Sequence, residues 1–309
     1  MQPHYMKIAI LGASGLLGTD LVQILSKDHS VLPFSSETIQ LHDQDQLNNV
    51  LEETFPIDLI INAAAMTDVD GAESDQDTAS KSNHLGAKHL ALFCKAHRIP
   101  LIHFSTDYVF DGTATDAYQE ADTTNPLNYY GKTKLNGEQA IQGTCSDFLI
   151  FRLQSLFGSH GKNFITTILN LAEKKESLSV ISDQWMSPTY SKDVASMISA
   201  LTNHISRNSH KPFGDVPSGI YHYSSMGFTN WANVARFILA TQTQLNTDAL
   251  PIVQNIPSSQ YPQAAKRPAF SVLNCDKFDH LRLHKRPSWE TAIRSFLEDL
   301  SPLKDNDVI

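Results

Sequence analysis

The chain has 309 residues, 41% of them hydrophobic and 18% charged. That length suggests one large domain or two of ordinary size, and the apolar content excludes a wholly disordered chain. Lysine and arginine number 24 against 33 aspartates and glutamates, a formal charge of -9 that argues against broad nucleic-acid binding.

Cys94, Cys145 and Cys275 stand far apart, with no CxxC spacing. They predict reduced thiols, no structural zinc and a cytoplasmic location. No apolar run approaches the roughly 18 residues needed to span a membrane. The start MQPHYMKIAIL lacks the pattern of a signal peptide, and residues 1–5 read as a loose leader ahead of Met6. No metal is expected, because the 13 histidines form no cluster at ligand spacing.

In chain order, residues 7–11 (KIAIL) read as a buried strand, 16–26 as a helix and 31–34 as a weaker strand. Residues 57–62 (IDLIIN) form a strong strand, 77–97 a long helix and 100–105 (PLIHFS) another strand. A helix over 128–142 and a strand over 148–153 (FLIFRL) follow. Apolar strands without alternation, separated by helices, predict parallel βαβ units covered on both faces. The right-handed crossover then gives an α/β fold with an open, doubly wound parallel sheet.

The second half is less regular. Helices are expected over 163–175, 192–204, 230–240 and 289–300, with strands over 178–181 and 219–223. The reading is a dinucleotide-binding Rossmann-type domain over residues 1–157 and a smaller, mainly substrate-binding domain over 158–309. The segment near 178–204 is expected to return to the first sheet.

The first strand runs into Gly12-Ala13-Ser14-Gly15-Leu16-Leu17-Gly18 and then a helix. Glycines permit a tight turn and close backbone approach, and the helix N-terminus offers free N–H groups to a pyrophosphate. No Lys-Ser/Thr follows Gly18, so this is not a Walker A loop. The second strand ends Phe34-Ser35-Ser36-Glu37, with neither the acid that selects NAD nor an arginine. Ser35 and Ser36 can hydrogen-bond a 2′-phosphate, which favours NADP over NAD.

Tyr130 and Lys134 stand at i and i+4 on one helix face. A cation beside a phenol stabilises the phenolate, which suits proton transfer to a carbonyl oxygen. Ser105-Thr106-Asp107-Tyr108 follows a predicted parallel strand, beyond whose carboxyl end ligands sit. Thr106 can there hydrogen-bond the oxygen that Tyr130 protonates.

Together these residues resemble the extended short-chain dehydrogenase/reductases, and within them the dTDP-4-dehydrorhamnose reductase family. GASGLLG, STDYVFDG and YYGKTK carry the likeness, with Asn62-Ala63-Ala64-Ala65, Thr67, Val69-Asp70, Ala72-Glu73 and Asn83. Asp183-Gln184, Ser187-Pro188-Thr189-Tyr190, Gly219-Ile220-Tyr221-His222, Arg267-Pro268 and Ser271 extend it into the second half.

The resemblance implies reduction of a 4-keto nucleotide sugar bound between the domains, for a surface polysaccharide. Tyr130 would be the proton donor, Lys134 would hold the nicotinamide ribose, and Thr106 would polarise the carbonyl. Ala63, Ala64, Ala65 and Asn83 would meet the cofactor. Thr67, Val69, Asp107, Tyr108, Ser155 and Met186 would meet the substrate. A homodimer is implied by the same likeness.

The chain departs from that family at Gln154-Ser155, where many members have Ser-Trp, at Met186 for a glycine and at Met66 for a tyrosine. These changes point to a wider pocket or a different sugar. A non-catalytic alternative is a regulatory subunit resembling the methionine adenosyltransferase beta subunit. His103 and His222 read as packing residues, His160 as a loop residue, and Trp185 as either structural or a pocket wall.

Overall fold

Strands made of unbroken apolar runs must bury both faces, and those over 7–11, 59–62, 101–106 and 148–153 do, whereas the edge strand over 30–34 is only partly covered. The computed structural model describes residues 5–161, 163–207, 211–241 and 250–300. The expected leader, apart from Tyr5, lies outside them.

The first half comprises β1 (Lys7–Leu11), α1 (Leu16–Leu25), β2 (Ser30–Phe34), α2 (Gln44–Glu52) and β3 (Leu59–Asn62). It continues with α3 (Gly71–Ser74), α4 (Gln76–Ser80), a π turn (Lys81–Leu85), α5 (Gly86–His97), β4 (Leu101–Thr106), α6 (Tyr129–Thr144) and β5 (Phe148–Leu153). The second half holds β6 (Leu156–Phe157), α7 (Phe164–Ala172), β7 (Ser177–Ile181), β8 (Trp185–Met186), β9 (Thr189–Tyr190) and α8 (Ser191–Arg207). Then come β10 (Gly219–Tyr223), β11 (Thr229–Asn230), α9 (Trp231–Thr241), β12 (Ile252–Ile256), α10 (Asp276–Asp279) and α11 (Trp289–Leu300).

The central sheet is six-stranded and parallel, in the order β10-β5-β4-β3-β1-β2. Leu17, Leu21 and Leu25 of α1 and Val194, Ile198 and Leu201 of α8 cover one face. Leu47, Leu51, Leu90, Phe93 and Ile141 of α2, α5 and α6 cover the other. The chain leaves β1 for β2 on one side and returns to β3 on the other, so a crevice opens at the carboxyl ends of β1 and β3.

The strand of the 178–204 segment does not join this sheet. β7 pairs in parallel with β12 instead, Ser177 opposite Ile252 and Ile181 opposite Ile256. Its first residues alternate between exposed and buried, so one face meets water, which a doubly covered sheet forbids. The helix of that segment, α8, does pack on α1, and β10 supplies the sixth strand beside β5. A separate core under α7, α9 and α11 gathers Ile165, Ile168, Val234, Ile238, Ile293 and Phe296.

The expected 77–97 helix is continuous in space but contains the π turn around Asn83. α2 is absent from the expected elements, although Leu47, Val50 and Leu51 stand at helical spacing along it. Its cap is a second signal, because the Asp43 carboxylate accepts from the Gln46 amide at 3.0 Å.

A buried ion pair fixes α6 to the sheet. Arg152 of β5 donates to Glu138 of α6 from Nε at 3.0 Å and from Nη2 at 2.7 Å. Both side chains are buried, and the guanidinium lies 5.0 Å from the Phe110 ring. His222 stands beside it, and burial with the Arg152 charge pushes this histidine down to about 3, so it packs as a neutral ring. Glu138→Ala should cost about 3–5 kcal/mol, since it strands a buried cation. Denaturant unfolding of the two chains checks this, and a loss below 1 kcal/mol, roughly the scale of an exposed pair, would contradict it.

Candidate active site

The glycine turn closes against the end of β3. Gly12 has φ +79, and a Cβ there would stand 2.6 Å from the Ala64 amide nitrogen. A Cβ on Gly18 would strike the Gly12 carbonyl, so helix and turn approach as only glycine allows. The Gly12 and Ala13 amides both donate to the Phe34 carbonyl at 2.9 Å, which ties the turn to β2. Gly15 begins α1 with no side-chain cap, so the first-turn N–H groups at Leu16, Leu17 and Gly18 stay available to an anion.

A cavity of about 520 Å³ opens there. Gly12, Ser14, Gly15, Ser35, Ser36, Ala63, Ala64 and Ala65 line it, as expected from the sequence. Leu16, Leu17 and Gly18 flank it rather than wall it. Gln40, His42, Thr78 and Lys81 also line it and were not foreseen. The glycines, the uncapped helix and the hydroxyls fit a dinucleotide.

Asn83 is not free to bind a cofactor. Its Oδ1 accepts from the Met66 amide at 2.8 Å. Its two amide hydrogens go to the Met66 carbonyl at 3.0 Å and the Thr133 hydroxyl at 3.1 Å. The residue thus pins the loop after β3 to the helix that carries Tyr130. The π turn supplies the offset that aims it.

Thr106, Tyr130 and Lys134 meet at the carboxyl end of β4. The Asn128 side chain caps α6 by accepting from the Gly131 amide at 2.8 Å, which sets the helix start just before Tyr130. Tyr130 lies edge-on to Tyr108, ring centres 6.1 Å apart. Lys134 is buried and donates to the Phe104 carbonyl at 2.6 Å. Burial pushes it down to about 8.

The spacing of Tyr130 and Lys134 leads one to expect a depressed phenol. The structure differs. Burial pushes Tyr130 up to about 12, the Asp107 charge acts in the same sense, and the Thr106 hydroxyl opposes them. The Lys134 ammonium is engaged by the Phe104 carbonyl. Tyr130 is therefore a protonated acid at neutral pH.

Asp107 is not a free substrate contact either. It is 2% exposed, and its carboxylate accepts from Thr106 at 3.1 Å and Gln154 at 3.2 Å. Burial pushes its carboxyl up to about 6.

A second cavity, about 610 Å³, lies between the halves. Tyr108, Asp70, Gln184, Phe164, Trp231 and Arg267 are among its walls. Arg267 grips Asp70 with two bonds, 2.9 and 2.7 Å, joining the loop after β3 to the C-terminal segment. That grip holds the Asp70 carboxyl down at about 2. Both residues were legible as motifs, but their pairing was not.

Of the other expected substrate residues, Thr67, Val69, Ser155 and Met186 do not wall this cavity. Met186 is 3% exposed and packs in the core under α7 and α9, because its strand β8 pairs with β11. Ser155 adopts φ 44 where the chain turns from β5 to β6. Trp185 is largely a surface residue, edge-on to Phe228. His160 sits over α1, 3.8 Å from Asp20, and His103 is buried against Asn62 at 3.1 Å.

The model of the RmlD substrate binding domain family matches residues 6–301. The chain belongs to the dTDP-4-dehydrorhamnose reductase family. It is 36% identical to the dTDP-4-dehydrorhamnose reductase of Burkholderia thailandensis, over 96% of this chain and 99% of that one. It is 35% identical to a dTDP-4-keto-6-deoxy-D-glucose reductase of Streptomyces niveus, over 92% of this chain and 94% of that one. A crystal structure of the Bacillus anthracis dTDP-4-dehydrorhamnose reductase in complex with NADP aligns with TM-score 0.85 and 30% identity, covering 96% of this chain and 99% of that one.

Family membership makes the turn at Gly12 a cofactor test. Gly12→Ala forces a side chain into a left-handed position and against Ala64. It should cost about 1–3 kcal/mol of stability and lower NADPH affinity at least about tenfold, a loss of roughly 1.4 kcal/mol. Thermal unfolding and fluorescence titration with NADPH read the two effects. Unchanged affinity would place the cofactor elsewhere.

Proposed function

We propose that the chain reduces the C4 ketone of dTDP-4-dehydrorhamnose to dTDP-L-rhamnose with NADPH. The observation that carries this reading is that Thr106 and Tyr130 hydrogen-bond at the end of β4, where Lys134 holds the Phe104 carbonyl and Tyr108 leads into the second cavity.

The turn at Gly12 and the start of α1 would hold the pyrophosphate. Ser35, Ser36 and Lys81 would meet the 2′-phosphate, and Lys134 the nicotinamide ribose. Bound NADPH supplies a hydride to C4. Tyr130 holds its phenolic proton firmly until the carbonyl oxygen gains charge, then gives it to that oxygen, and the ketone becomes an alcohol. The Lys134 ammonium offsets the resulting phenolate. In the second cavity, Trp231 and Tyr261 suit a base, and Lys175 and Arg267 suit a diphosphate.

A second reading is the C4 reduction of an epimeric 4-keto-6-deoxyhexose on the same nucleotide. The Streptomyces niveus relative favours it. Three buried free thiols support a reducing, cytoplasmic setting, and among the described residues no helix is long and apolar enough to cross a membrane. The homodimer implied by resemblance is checked by light scattering of the same preparation.

Loss of nicotinamide absorbance with dTDP-4-dehydrorhamnose generated in situ tests the assignment. Tyr130→Phe should lower kcat by about 10²–10⁴-fold and leave NADPH affinity within a few-fold. Retained turnover in the variant would remove Tyr130 from the chemistry. A wild type that binds NADPH yet turns over neither epimeric ketone would leave the regulatory alternative.

A further inference from the structure

Gln154 is wholly buried at the junction of three segments. Its Oε1 accepts from the Ser187 amide at 2.8 Å. Its Nε2 faces the Ser271 carbonyl, the Ser271 hydroxyl at 2.9 Å and the Asp107 Oδ2 at 3.2 Å. A backbone amide can only donate and a backbone carbonyl can only accept. The orientation of the Gln154 amide is therefore settled from both ends.

That orientation has a consequence for Asp107. Oδ2 faces the Gln154 amide at 3.2 Å, and Oδ1 is the oxygen 3.1 Å from the Thr106 hydroxyl. A proton carried on Oδ1 therefore has the Thr106 oxygen as its acceptor. Thr106 Oγ1 already accepts from the Tyr108 amide at 3.2 Å and carries one hydrogen of its own. When Asp107 is ionised, that hydrogen points to Asp107, away from the cleft. When Asp107 is neutral, Oδ1–H donates to Thr106, and the Thr106 hydrogen is released toward Tyr130 and the reacting oxygen.

We propose that Gln154 and Asp107 are positioning residues that aim the Thr106 hydroxyl, and that the proton on Asp107 Oδ1 decides whether Thr106 can donate in the active site. The proposal rests on the reductase reading above. No bond other than O–H changes: the proton enters Asp107 from solvent and leaves the same way, and Thr106 keeps its own.

The titratable groups that face Asp107 are the phenols of Tyr108, from the turn after β4, and Tyr130, from α6. Burial pushes both up, so both stay neutral across the working range. From β5 and the C-terminal segment it meets only the neutral Gln154 and Ser271. The carboxyl, held near 6 by burial against these hydrogen bonds, is then the group that titrates.

The signs follow. In the wild type kcat should fall as pH rises through the Asp107 transition, to a plateau about tenfold lower, the scale of one hydrogen bond to a developing charge. Asp107→Asn should hold the upper plateau throughout, because Gln154 turns the asparagine oxygen to itself and its NH₂ to Thr106. Gln154→Leu removes a donor from the carboxylate and should move the transition up by about one pH unit. Merely structural roles would lower kcat at every pH and leave the transition in place.

A carbon-13 titration of the aspartate carboxyls, with the Asp107 signal identified by its loss in Asp107→Asn, gives a readout free of turnover. It should report a transition near 6 in the wild type and a higher one in Gln154→Leu. An Asp107 that titrates in the usual carboxylate range, or does not respond to Gln154→Leu, overturns the proposal whatever the turnover. If Gln154→Leu fails to fold, the wild-type titration and the pH profile of Asp107→Asn decide alone. Absent wild-type turnover beside a responsive Asp107 overturns the reductase reading and the catalytic half of this proposal with it.

Discussion

Parallel strands buried on both faces can present polar groups only at their ends, because every side chain along their length is committed to packing. In this chain the strands end together at one edge, and the order β10-β5-β4-β3-β1-β2 splits that edge between β1 and β3. The backbone at Gly12 then comes so near Ala64 that no side chain fits between them. The glycine turn meets there the loop that Asn83 pins to the Tyr130 helix.

Ion pairs tie separate elements together. Arg152 and Glu138 secure α6 to β5, and Arg267 and Asp70 secure the C-terminal segment to the loop after β3. A buried pair is weak as a source of net stability but strong as a constraint, because breaking it strands a charge. Asp107 differs, being held only by neutral donors. It is therefore free to gain a proton, which the paired carboxylates are not.

Much of the fold was legible. Unalternated runs such as KIAIL and FLIFRL can only be doubly covered strands, and β1 and β5 match them. The glycine turn, the Asn128 cap and the helix that carries both Tyr130 and Lys134 are local features, and the structure holds all three. β7 was misjudged because a short apolar run does not name its partner; only its alternating burial shows that one face is wet. α2 escaped because its apolar stripe, Leu47, Val50 and Leu51, is short and set among polar residues.

The sequence by itself determined most of the elements, the glycine turn and the placing of Tyr130 and Lys134 on one helix, since these depend on residues within a few positions of one another. Tertiary structure alone decided which charges pair and which groups are desolvated. Asp70 and Arg267 are 197 positions apart, and Gln154 and Ser271 are 117 apart, so no spacing rule could join them. Whether Tyr130 is lowered by its lysine or raised by burial depends on how much water the folded cleft excludes. That quantity belongs to the packed molecule, not to any segment of the chain.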